Sequence, residues 1–223
     1  MKKNLFLEAI LKFLLGVVLV GLLIFLPAGT LRFSAGWLLM GILFVPMFLA
    51  GLVMLAKDPR LLQSRLKAKE SRREQDLVVK LSGLMFIAAF VVAGLDFRFG
   101  WLPLPSWVKW VAAALFLVAY ILYAEVLREN TYLSRTIEVQ ENQIVVDTGL
   151  YGIVRHPMYA VTLLLFLSMP FVLNSLLSFL CFLLYPFLIA KRLLNEEVFL
   201  EKELPGYTEY KQKVKYRLIP GIW

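Results

Sequence analysis

Gly149-Leu150-Tyr151-Gly152-Ile153-Val154-Arg155-His156-Pro157-Met158-Tyr159 is a polar, glycine-bearing elbow set between apolar runs, and it holds the only histidine in the chain. Downstream of it, residues 158–172 are apolar and end near Pro170, Asn174-Ser175 reads as a turn, and residues 176–204 read as one long helix with a kink at Pro186. Two helices joined by so short a turn are antiparallel neighbours. The second helix therefore carries Lys191-Arg192-Leu193-Leu194-Asn195-Glu196-Glu197 back toward the elbow. That return decides the fold: an apolar helical hairpin with polar residues gathered at its open end.

Upstream, apolar segments cover about 9–26, 36–56, 77–95 and 106–127, several of them near the ~20 residues that cross a bilayer as helix. The chain of 223 residues is 60% apolar with a mean hydropathy of +0.74, against ~45–50% apolar in soluble domains. The runs are continuous rather than alternating, which argues against a β-barrel. The expected fold is an all-α polytopic membrane protein of about six hydrophobic helical segments. Residues 1–127 are expected to form N-terminal transmembrane helices, a scaffold that shapes the substrate entrance, and residues 128–223 a C-terminal catalytic region.

The net charge is +8. The basic residues flank membrane segments, so orientation and anionic lipid explain them and nucleic acid is not expected. Lys57, Arg60, Arg65, Lys67, Lys69, Arg72, Arg73 and Lys80 crowd residues 57–80, while the loops around Arg32 and over 96–105 are nearly uncharged. The positive-inside rule then places the N-terminus, the 57–80 loop and everything from Arg128 on the cytoplasmic side, and the expected location is a bacterial or archaeal cytoplasmic membrane with both termini in the cytoplasm. Leu61, Leu62 and Leu66 suggest either a short amphipathic helix on the headgroups or a solvated loop. Ile137–Gln140 and Ile144–Val146 are β-branched pieces that could pair as a hairpin or lie as loop. Cys181 sits alone in an apolar run and reads as a packing residue.

His156 has neither a second histidine nor a cysteine pair to make a metal site. Pro157 suits the first turn of a helix, so Arg155 and His156 precede a helix mouth whose N–H groups favour an anion. A ligand site and a plain helix cap both remain open at this point. Arg192 and Glu196 are spaced i, i+4 and share a helix face. They read either as a surface ion pair or, at a depth where charges are costly, as functional groups.

Together these elements resemble a family. Gly149-x-Tyr151-x-x-x-Arg155-His156-Pro157-x-Tyr159, then Arg192-x-x-x-Glu196-Glu197, then Tyr207-x-x-Tyr210-x-x-x-Val214, then Ile219-Pro220, look like the isoprenylcysteine carboxyl methyltransferases and their relatives, the phospholipid N-methyltransferases. The resemblance implies a membrane methyltransferase using S-adenosylmethionine (SAM), with a cytoplasmic cofactor pocket made by the C-terminal helices and their connecting loop. It implies that Gln140, Gln143, Ile144, Val145, Val146, Tyr151, Arg155, His156, Pro157, Met158, Tyr159 and Glu196 bind the cofactor. Arg192, Glu196 and Glu197 are the implied catalytic residues, with Arg192 facing a substrate carboxylate.

Methyl transfer from a sulfonium is an in-line displacement that needs mainly positioning and a dry site. A carboxylate acceptor needs no general base, whereas an amine would need Glu197 or His156 to take a proton. No glycine-rich loop follows a strand, so a soluble Rossmann-type methyltransferase is excluded. Three other readings stay in play: a phospholipid amine N-methyltransferase, an NADPH-dependent membrane reductase of the sterol reductase kind, and a non-catalytic membrane protein whose polar cluster caps helices.

Overall fold

The computed structural model describes residues 2–66, 73–134 and 136–223; Lys67, Lys69, Glu70 and Arg72 of the charged run lie outside the described residues. The described residues hold helices α1 (Lys2–Ala28), α2 (Ser34–Lys57), α3 (Pro59–Leu66), α4 (Arg73–Phe99), α5 (Ser106–Glu129), α6 (Pro157–Val172), α7 (Leu176–Phe182), α8 (Tyr185–Glu203) and α9 (Tyr207–Lys213). α1, α2, α4, α5 and the run Leu176–Glu203 are long and apolar enough to cross a bilayer, and α6 is a shorter apolar helix. The chain is an all-α polytopic membrane protein. Leu11, Leu15 and Leu22 on α1 and Val45, Leu49 and Val53 on α2 are exposed, as befits residues that face lipid.

The helices outrun the apolar windows that mark them. α4 begins at Arg73 and ends at Phe99, so Asp96 and Phe97 belong to its last turn rather than to the following loop. Hydropathy marks only the part in hydrocarbon, whereas a helix continues while its backbone hydrogen bonds can be made. The long helix expected over 176–204 is broken at Leu183-Leu184 between α7 and α8. Pro186 sits in the first turn of α8, where its missing N–H is harmless but α7 cannot run through it.

Residues 59–66 are a helix, not a solvated loop. The Asp58 side chain caps it by accepting from Leu61 N at 3.1 Å, and Pro59 opens it. Its apolar side is buried against the protein: Leu61 and Leu62 are covered, and Lys12 Nζ of α1 donates to Leu66 O at 2.8 Å.

α5 lies along α6, and α1 along α4. At the second contact a Cβ on Gly94 would stand 2.5 Å from Ile24 O, so only glycine lets the two backbones approach. An aromatic cluster joins α4, α6, α7 and α8: the Phe86 ring centroid is 4.9 Å from that of Phe166 and 5.2 Å from that of Phe182. The turn of the hairpin is pinned by buried Asp96, which accepts from Ser175 Oγ at 2.6 Å and Leu102 N at 3.0 Å. The end so fastened is the far one, which leaves the elbow and the polar part of α8 together at the other.

Candidate functional site

The elbow is a 3-10 turn over Gly149–Gly152, entered at Gly149 with φ +51°. A Cβ there would stand 1.4 Å from Glu129 Oε1, because the Glu129 carboxylate at the end of α5 closes over the turn and accepts from Leu150 N at 2.9 Å. Arg155 and His156 pair with the C-terminal tail: Arg155 N donates to Tyr216 O and His156 N to Arg217 O, each at 2.9 Å.

Behind the elbow lies a buried ionic cluster centred on Glu197, which is 2% exposed. Glu197 Oε1 accepts from Arg155 Nε at 2.6 Å and lies 3.3 Å from His156 Nε2, while Oε2 accepts from Arg217 Nε at 2.9 Å. Arg155 Nη1 donates to Val214 O at 2.7 Å and Lys215 O at 2.8 Å, so one guanidinium holds both α8 and the tail. A buried carboxylate is tolerable only with this degree of satisfaction. The His156 side chain thus points to Glu197 and does not cap α6.

In front, the Tyr159 hydroxyl accepts from Arg192 Nε at 3.0 Å and donates to Glu196 Oε2. These groups line an open cavity on the polar side of α8. The loop between α5 and the elbow forms its other wall. Its described residues form no strand and are held by local turns and side-chain bonds. Gln140 N donates to Gln143 Oε1 at 2.9 Å, Gln140 Nε2 to Tyr132 O at 2.8 Å, and Asn142 takes the left-handed turn position at φ +57°. Residues 137–140 and 144–146 lie as loop, and the hairpin alternative does not form.

Of the residues singled out from sequence, Gln143, Ile144, Val145, Val146, Tyr151, Arg155, His156, Met158, Tyr159, Arg192 and Glu196 line the cavity. Gln140, Pro157 and Glu197 do not: Gln140 braces the loop, Pro157 is buried at the start of α6, and Glu197 sits behind the wall. The mouth of α6 offers an anion little, since Pro157 has no N–H and Tyr159 N and Ala160 N both bond back to His156 O at 3.1 Å. Sequence reasoning missed the loop residues Asn130, Tyr132, Leu133, Ser134, Thr136 and Ile137, which also line the cavity, and Arg217, which holds Glu197. The only signal for the loop residues was membership in a polar stretch between two membrane helices, and for Arg217 its place in the basic C-terminal tail.

Tyr207 and Tyr210 complete the cavity with Leu204 and pack with Val214 in a small core of their own. Burial pushes the Tyr151, Tyr207 and Tyr210 hydroxyls well above their ordinary range, so all three stay protonated at neutral pH. The Tyr151 hydroxyl is buried beside Asn130 and makes no hydrogen bond of standard geometry. A buried unsatisfied hydroxyl in a cavity wall is an offer to a ligand.

Residues 107–205, from the first turn of α5 to just past α8, match the phospholipid methyltransferase family. No curated protein matches the chain. The matched span holds Tyr151, Arg155-His156-Pro157, Tyr159, Arg192 and Glu196, and the structure brings most of these to one cavity. The segment 107–205 belongs to the family of phospholipid methyltransferase-like membrane methyltransferases.

Proposed function

We propose that the protein uses SAM to methylate a lipophilic acceptor at the cytoplasmic face of the membrane, with an isoprenylcysteine-type carboxylate as the favoured acceptor. The observation that carries this reading is the Arg192–Tyr159–Glu196 set on the cavity wall, beside the unsatisfied Tyr151 hydroxyl.

The donor set fits SAM, which presents an ammonium, a carboxylate, a sulfonium and an adenosine. When bound, SAM supplies an electrophilic methyl group. Glu196 offers a carboxylate to the ammonium, and Tyr159 fixes its rotamer. Ile144, Val145 and Val146 give the loop wall an apolar surface for the base, and Tyr151 can bond a polar edge. Arg192, held by Tyr159, sets a positive charge beside the carboxylate of Glu196, where an anionic acceptor can be oriented. Tyr207, Tyr210 and Leu204 exclude water from the closed end.

The choice of a carboxylate follows from the groups that would otherwise act as base. Both Glu197 oxygens are already engaged by Arg155, His156 and Arg217. His156 Nε2 lies against Glu197 and 3.5 Å from the Tyr207 hydroxyl. Glu197, its charge met by Arg155 and Arg217, is a poor proton acceptor for an amine, and a carboxylate acceptor needs no proton taken.

The membrane side follows from charge. α3, with Lys57 and Arg60 near its start and Arg65 near its end, is tied to the cavity loop by Ser64 Oγ, 3.1 Å from Leu133 O. The cavity therefore lies on the side of the most basic loop, which is the cytoplasmic one by the positive-inside rule.

Titrating purified protein in lipid nanodiscs with radiolabelled SAM and, separately, with NADPH tests the reading. Saturable SAM binding that falls at least tenfold in Glu196→Ala is expected. Binding of NADPH but not SAM would overturn it in favour of a reductase.

A further inference from the structure

The described residues of the cavity loop lack regular structure, yet they form one wall of the site. Their local bonds are short-range: Ser134 Oγ and Thr136 Oγ1 are 3.1 Å apart, and Tyr132 N donates to Asn130 Oδ1 at 3.1 Å. Short-range bonds of this kind do not by themselves fix the distance of residues 130–134 and 136 from α8. α3, far away in sequence, reaches the loop at Leu133 and Ser134. Ser64 Oγ lies 3.1 Å from Leu133 O. Arg65 Nη1 donates to Ser134 O at 3.2 Å and lies 3.8 Å from Met158 Sδ. Arg65 Nη2 donates to the Tyr123 hydroxyl of α5, and the guanidinium sits 5.7 Å from the centre of that ring.

One planar fork thus touches three parts of the protein at once: α5, the loop wall and the first turn of α6. Leu133, Ser134 and Met158 all line the cavity. Arg65 itself does not line it, so a direct contact with the cofactor is not its role. α3 is in turn anchored by buried Leu61 and Leu62 and by the bond from Lys12 to Leu66 O.

We propose that Arg65 is a positioning residue for the cofactor pocket, holding the Leu133–Ser134 wall and Met158 in register so that the N-terminal helices set cofactor affinity without touching the cofactor. This rests on the SAM reading above. The residue lies outside the segment that matches the family, residues 107–205. Arginine suits the task because its rigid fork serves several acceptors together, and a lysine reaches only one of them at a time.

The test compares wild type, Arg65→Lys, Arg65→Ala and Ser64→Ala in nanodiscs. Radiolabelled SAM gives the dissociation constant, and initial rates give kcat and the separate KM values for SAM and acceptor. Arg65→Ala is expected to weaken SAM binding roughly tenfold, Arg65→Lys to recover part of that loss, and Ser64→Ala to weaken it about twofold. KM for SAM rises while kcat and the acceptor KM stay near wild type. Should Arg65→Ala not fold, the lysine and Ser64 variants decide. Unchanged SAM affinity in Arg65→Lys and Ser64→Ala, or a rise in the acceptor KM alone, overturns the inference. A wild-type protein that binds no SAM overturns the functional reading itself, and this inference with it.

Discussion

Arg192 and Tyr159 are 33 positions apart in sequence, yet Arg192 Nε lies 3.0 Å from the Tyr159 hydroxyl. The same hydroxyl donates to Glu196. Tyr159 therefore stands between a cation and a carboxylate one turn apart on α8, and couples the helix that opens at the elbow to the helix that returns to it.

Tyr159→Phe keeps the ring and severs both bonds. Hydrogen bonds to charged groups contribute ~1.5–3 kcal/mol. SAM affinity should fall by about ten- to a hundredfold, with thermal stability changed less than by any variant of Glu197. Equilibrium binding of labelled SAM beside a melting curve separates the two effects.

Glu197 is expected to matter first for stability. Removing one partner of a buried ion pair costs ~3–5 kcal/mol, because the other charge is left stranded. Glu197→Ala and Arg155→Ala should each lower the unfolding midpoint strongly, and Glu197→Gln less. The double variant Arg155→Met, Glu197→Met should cost less than the sum of the single losses. Unfolding in detergent, followed by tryptophan fluorescence, measures this.

The elbow tolerates nothing larger than glycine at position 149. Gly149→Ala drives a methyl into the Glu129 carboxylate and holds a non-glycine residue at positive φ, a conformation costing ~1–3 kcal/mol. In a Glu129→Ala background the clash disappears and only the backbone part, ~1–2 kcal/mol, should remain. A double-mutant cycle on thermal stability reads the difference.

The buried tyrosines predict an alkaline limit. Burial raises the Tyr151, Tyr207 and Tyr210 hydroxyls in the folded state above the ~10 of an unfolded tyrosine. The native state then holds protons that the unfolded state releases, so stability is full below pH ~10 and falls as pH rises beyond it. Tyr210→Phe should make that fall shallower in melting curves taken from pH 8 to 11.

Much of this architecture was readable in advance because a bilayer leaves few options: apolar runs must be helices, and a two-residue turn forces the α6 helix and the α7–α8 run to lie antiparallel. Arg192 and Glu196 could be placed on one face by spacing alone. The loop over 130–148 could not be read, since its course depends on side-chain bonds such as Gln140 to Tyr132 O that no periodicity announces. The division of labour between adjacent Glu196 and Glu197 was equally hidden. A step of about 100° on the helix sends one to the cavity and the other to Arg155 and Arg217, and only the fold says which.

The most direct test of the central claim is mass spectrometry of a lipid extract incubated with the protein and methyl-labelled SAM. The account predicts a labelled methyl ester on a lipophilic carboxylic acid, produced by wild type and lost in Glu196→Ala. Label on a phospholipid amine would contradict the choice of acceptor, and no protein-dependent label in any lipid would contradict the proposed methyl transfer to a lipophilic acceptor.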